Sequence, residues 1–256
     1  EGLTADGRVL GVTSSGGQDE PPTRDVWSYV VYTKDGCGNV SGVSNVTGGT
    51  LSFQNSGCGG GTAPTYLTLD AHASGNVAVN APLVVLQDAS ITSDANVSVG
   101  ADVSAGGVLE LHAGLDGSGN LSFTRCGLDI SGFTIRLLAG DGTGTTARVD
   151  ARTNSPIFHG AGGGATRPEG FAIIQDASIT DANLPRTNQF GAPIAGMGYT
   201  IKSHGGSVTL SDPSLVRGTM LTLGGATGTA INGALDLGSL LVYGPARVGA
   251  NVTTSQ

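Results

Sequence analysis

The sequence predicts an all-β fold, a β-solenoid (parallel β-helix) with an N-terminal β-hairpin or cap segment; a β-sandwich is the alternative. Three observations predict it. Between residues 82 and 123 (PLVVLQDASITSDANVSVGADVSAGGVLELHAGLDGSGNLSF) short apolar pieces recur, separated by Gly, Asp, Asn and Ser. Each piece is too short for an ordinary helix, and each separator is a turn residue. The pieces also alternate, as in VLEL and in NVSV, where Val97 and Val99 point one way and Ser98 the other. No piece can bury its apolar side alone, so the pieces must stack, as a solenoid or as a sandwich. Turning after about four or five residues favours the rungs of a β-helix over the longer strands of a sandwich.

A chain of 256 residues accommodates one large β domain or two smaller ones. Glycine occurs 44 times, where average usage of about 7% gives roughly 18, and the excess supplies turns throughout. The formal net charge is −8, and no Lys/Arg run occurs. Nucleic-acid binding needs a basic footprint and is not expected, and an anionic membrane surface would repel the chain. No apolar run approaches the roughly 18 residues that span a bilayer, so no membrane insertion is expected. No signal-like segment opens the sequence, which is the expectation for a mature or excised piece.

In chain order, residues 1–22 are polar and turn-rich, an extended entry segment or linker. VWSYVVYT (26–33) is the most β-prone run, and DGCGN (35–39) turns it. The stretch SYVVYTKDGCGNVSGVSNVT resembles the last hairpin of bacterial Ig-like modules, in which a Tyr-rich strand runs into D-x-x-G-N. That resemblance implies a hairpin, either the tail of such a module or a cap on the stack. GGGTAP (59–64) marks the expected boundary between an N-terminal segment, residues 1–60, and a solenoid, residues 61–256. Cys37 and Cys58 stand in matching contexts, DGCGN and SGCGGG. A disulfide between them is expected, worth about 3 kcal/mol in the chain-entropy model, with two buried thiols as the alternative. Cys126 is then the odd cysteine, and without a C-x-x-C or a neighbouring His no zinc site is expected.

From Tyr66 the short-strand grammar begins. VSAGGVLELHAGLDGSGNLSF resembles the repeats of filamentous-haemagglutinin-type adhesins and autotransporter passengers, in which an apolar–polar–apolar strand is followed by A-G-x-D/G and a second such strand. The likeness covers residues 67–123. It implies a bacterial extracellular or cell-surface protein of structural or adhesive role. An echo comes later: LQDASITSDAN (86–96) returns as IQDASITDAN (174–183), 88 residues on. At about 22 residues per rung the echo would lie four rungs away; an Asp turn before a β run is the plainer account. The segments 154–170 and 183–198 break the grammar and are expected to protrude as loops, where binding functions concentrate.

Little in the sequence points to chemistry. His72, His112, His159 and His204 form no HxxxH and adjoin no catalytic Ser or Cys pattern. His159, with Arg152 and Arg167 nearby, is the one worth following. The strand carboxylates Asp70, Glu110, Asp129, Asp150 and Asp236 fall one per strand, so no enzyme is expected. DGSGN offers Asp116, Ser118 and Asn120 as alternate oxygen ligands, and DGCGN offers Asp35 and Asn39, as the start of a calcium loop would. Neither has a closing Glu, GDGTG (140–144) has fewer ligands still, and a plain turn is the simpler reading. N-x-S/T triplets at Asn39, Asn45, Asn96, Asn120 and Asn251 read as turn Asn followed by a strand.

The reading is therefore a self-associating repeat module of a bacterial surface filament or adhesin. A carbohydrate-active β-helix, as lyase, hydrolase or glycan-binding module, is the alternative. Its aromatic residues are too thinly spread for sugar platforms. The expected partners are other copies of the chain, with a glycan or host receptor as a further candidate. The self-association surface is placed at Leu235, Leu237, Leu240, Leu241, Val242 and Tyr243, where GSLLVYG (238–244) is an apolar, uncharged run suited to pairing with a neighbour.

Overall fold

The computed structural model describes residues 2–3, 9–10, 30–31, 45–46, 51–53, 65–161, 168–185, 198–212 and 220–254. Almost every described strand lies parallel to its neighbours in a three-faced stack. Face A carries nine strands: Asn45–Val46, Leu69–Ala73, Ala89–Ser93, Val108–Ala113, Thr134–Ala139, Gly170–Gln175, Gly198–Ser203, Met220–Gly225 and Ser239–Tyr243. Face B runs from Leu51–Phe53 to Arg148–Asp150, and resumes from Ile179–Thr180 to Ala246–Val248. Face C runs from Thr65–Tyr66 to Ile157–His159 and resumes with Leu235–Leu237 and Val252–Thr254. This is the β-solenoid that the short alternating pieces predicted. The described residues contain no α-helix, only a 3₁₀ turn at Asp181–Asn183.

Alternation is the reason it stacks. Leu109, Leu111, Val97, Val99, Ile91 and Leu121 are wholly buried, while the residues between them face out. Each such side chain contributes about 1.5–3 kcal/mol on burial. Corners are held by short polar side chains reaching one coil over. Asn96 Nδ2 donates to Asn76 Oδ1 (2.8 Å), and Asn96 Oδ1 accepts from the Asn120 N–H (2.8 Å), an asparagine ladder along the A–B corner. The triplets at Asn96 and Asn120 are thus turn–strand junctions.

Coil length varies. Ala89 lies opposite Leu69 and Leu109, twenty residues away on either side, but Gln175 lies opposite Ala139, 36 residues back. The wide coils fill their interior with rings. Phe123, Phe158 and Phe171 pack edge to face at 5.8 and 5.3 Å between centroids, and Tyr199 succeeds Phe171 at 5.9 Å.

Three expectations are corrected. Asn45–Val46 and Leu51–Phe53 already pair with Leu69–Ala73 and Val77–Val79, so the stack begins before GGGTAP. Among the described residues Val30–Val31 is not hairpin-paired with a strand C-terminal to it; it pairs antiparallel with Gly2–Leu3, which also pairs with Val9–Leu10. Ile157–His159, expected in a protruding loop, is a face C strand beside Asp129–Ser131, with Phe158 in the core.

The echo is not a rung repeat either. Gln175 shares a line with Ala139, Ala113 and Ser93, not with Gln87. The second copy is thus three coils away and six residues out of phase. It stands where face B is interrupted. There the Val149 N–H donates to Gln175 Oε1 (2.9 Å), Gln175 Nε2 donates to the Ser178 carbonyl (2.9 Å), and Asn183 Nδ2 donates to the Val149 carbonyl (2.9 Å). Two amide side chains stand in for a missing ladder, as buried backbone groups require.

Candidate functional site

Parallel register turns sequence spacing into lines of side chains. On the outside of face A, Asp70, Ser90, Glu110 and Arg136 form one line, and His72, Thr92 and His112 form the next. Neighbouring strands lie about 4.8 Å apart, so residues far apart in sequence become adjacent. Asp70 and Glu110, which the sequence left one per strand, share a groove of about 450 Å³ lined also by Thr68, Asp88, Ser90 and Arg136. The signal was present in the sequence as a twenty-residue step from Asp70 to Ser90 to Glu110, repeated from His72 to Thr92 to His112. Asp129 and Asp236 belong to face C, and Asp150 to face B.

Within the two lines most polar groups hold each other. Arg136 Nη1 donates to Glu110 Oε2 (3.3 Å). His72 Nδ1 lies 3.0 Å from Thr92 Oγ1, and His72 Nε2 lies 3.6 Å from Asp94 Oδ1. This row has the order of a hydroxyl–imidazole–carboxylate relay. However, Thr92 Oγ1 donates to the Ala71 carbonyl (3.3 Å), so its proton is aimed at the backbone and not at the imidazole. His112 Nε2 donates to the Gly140 carbonyl (2.8 Å) and steadies the turn beyond it. What remains is a shallow polar surface of carboxylates, hydroxyls and one guanidinium, suited to hydrogen bonding with a polar chain lying along the stack.

The remaining candidates separate. His159 Nε2 is 3.5 Å from Asp129 Oδ1 on face C, and Arg152 donates to the Asp181 carbonyl (2.9 Å). In DGSGN, Asp116 Oδ1 accepts from both the Ser118 N–H (2.8 Å) and the Ser118 hydroxyl (3.2 Å), while Asn120 opens the next strand. The loop is a turn closed on its own carboxylate. Among the described residues no three His, Cys, Asp or Glu side chains gather as a metal cluster. Asp35, Asn39, Cys37 and Cys58 lie outside the described residues; Cys126 is an exposed free thiol.

The self-association run divides. Leu235 and Leu237 are core residues, because the strand Val252–Thr254 lies beyond theirs, so they are withdrawn from any contact surface. Leu240 and Val242 pack half-covered against the core, and Leu241 and Tyr243 are exposed on face A. No protein-family model matches the chain, and no curated protein or solved structure matches it significantly.

Proposed function

We propose that the chain is a structural, adhesive module of a bacterial surface filament, working outside the cell by association with further copies of itself. The observation that carries this reading is the last described coil. Ser239–Tyr243, Ala246–Val248 and Val252–Thr254 each pair on one side only among the described residues. Their inward side chains Leu240, Val242 and Val252 are only partly covered, and Leu241, Tyr243 and Val248 are half-exposed or more. A row of N–H and C=O groups without partners among the described residues, over an apolar underside, is a template for another strand of the same grammar. A second copy presenting a coil of the same cross-section would cover it, and head-to-tail contacts that do not close extend into a filament. The resemblance of residues 67–123 to haemagglutinin-type repeats points the same way. Light scattering and electron microscopy across a wide concentration range test it: oligomers or fibres are expected, reduced in Val242→Lys. A particle that stays monomeric at every concentration, with that coil ordered in solvent, would sink the reading.

The groove on face A favours a second reading, a glycan-binding surface. Its lining has hydroxyl, carboxylate and guanidinium groups but no aromatic platform. Binding of neutral and acidic polysaccharides to wild type and Glu110→Ala separates it from the first.

A further inference from the structure

We propose that the A–B corner formed by Asp176 and Thr145 binds a calcium ion, independently of whether the last coil self-associates. Asp176 is only 3% exposed. Its Oδ2 accepts from the Thr145 N–H, its Oδ1 is buried with no hydrogen-bond partner, and the hydroxyl oxygen of the same Thr145 is in the same condition. Among the described residues no Lys, Arg or His forms an ion pair with Asp176. The nearest candidates by register are otherwise placed: His112 donates to the Gly140 carbonyl, and His204, one coil on, is exposed.

A carboxylate this deep, with one hydrogen bond and no counter-charge, is costly to bury. A water molecule on Asp176 Oδ1 would satisfy that oxygen and leave the charge uncompensated; a cation does both. The donors are a carboxylate and a hydroxyl, with no sulfur or imidazole, which selects a hard cation, with water completing its shell. The backbone approaches both oxygens where side chains would intrude. A Cβ at Gly205 would stand 2.6 Å from Asp176 Oδ1, and one at Gly140 2.3 Å from Thr145 Oγ1. Gly140 also has φ +79°, a conformation that favours glycine. The turn's own carboxylate, Asp141, is exposed, and the buried carboxylate comes from the next coil. An ion here would tie the 36-residue coil to its neighbour where face B is interrupted.

The experiment is calorimetric titration of the chelator-treated chain with calcium, paired with thermal unfolding. Expected for wild type are one ion per chain and a Tm that rises on calcium addition. Asp176→Asn is expected to bind none and to melt at one temperature with or without calcium, no lower than chelator-treated wild type, since it removes an uncompensated charge. Thr145→Val keeps the carboxylate and is expected to bind at least about tenfold more weakly. Wild type indifferent to about 1 mM calcium, in the range of weak extracellular sites, would overturn the proposal. So would calcium binding that survives Asp176→Asn. Should that variant fail to fold, an unaltered calcium response in Thr145→Val overturns it equally.

Discussion

At residues 87–92 the hexapeptide QDASIT carries its Gln and Asp on the outside of the C–A corner; at residues 175–180 the same six residues carry them inside the A–B corner. Gln87 and Asp88 are exposed, and Ala89 starts a face A strand. Gln175 is wholly buried as the last residue of a face A strand, Asp176 is nearly so, and Ile179 belongs to face B. Only Ile91 and Ile179 agree, each fully buried. Phase therefore comes from the strand that enters the hexapeptide. Phe171, Ile173 and Gln175 alternate inward along one strand, so Gln175 is delivered to the interior regardless of the residues after it. Leu83 and Val85 face inward before the first copy, and the chain then turns at Leu86 with Gln87 outside.

The largest effect is expected where the copies agree. Ile91→Ala and Ile179→Ala both empty fully buried space and should each cost about 2–5 kcal/mol in urea unfolding. Ile91 belongs at the upper end, since its strand is paired on both sides. Ile179 belongs at the lower end, since its strand is an edge of its sheet and can relax. Equal losses would show that the interruption of face B gives no freedom to collapse.

Gln175→Leu comes next. It preserves approximate volume but leaves the Val149 N–H and the Ser178 carbonyl without the partners they have now. A loss of about 1–3 kcal/mol is expected, with faster hydrogen exchange at the Val149 amide. Unchanged exchange there would mean that the amide does not substitute for the ladder.

The solenoid was readable because alternation and turn chemistry act locally. Val97-Ser98-Val99 and VLEL mark their inward faces without reference to any other coil. Register was not readable, because it depends on coil length, which changes from twenty to 36 residues as turns such as 140–147 are inserted. A mean of about 22 residues per rung therefore misplaced the echo and hid the line Asp70, Ser90, Glu110. Ile157–His159 was missed for a related reason: three residues between Pro156 and a glycine-rich stretch make too short a strand to show alternation, and its partner is 28 residues back. Gln175 and Asp176 were unreadable as buried groups, since the same letters are exposed at residues 87 and 88.

A smaller effect is expected of Asp88→Ala. Asp88 Oδ1 accepts from the Val108 N–H (2.7 Å), but at an exposed corner where water can take its place. A loss of about 0.5–1.5 kcal/mol is expected, measured by the same unfolding. A loss as large as that of Gln175→Leu would mean that the C–A corner is as dependent on its side chains as the interrupted A–B corner.

The smallest effect belongs to Gln87→Ala, the counterpart of the substitution at Gln175. The Gln87 N–H donates to the Leu67 carbonyl (2.9 Å), and its carbonyl accepts from the Gly107 N–H (3.0 Å). Both bonds are main-chain and survive any side chain that permits the same turn. The amide itself is exposed and makes no hydrogen bond among the described residues. Stability within about 0.5 kcal/mol of wild type is expected, as for a surface position away from caps, cavities and networks. The pair then separates letter from place: one glutamine is removed at almost no cost, and the other carries a broken sheet. If Gln87→Ala instead cost more than about 1 kcal/mol, its side chain would be holding the corner, and the contrast between the two copies would fail at its first residue.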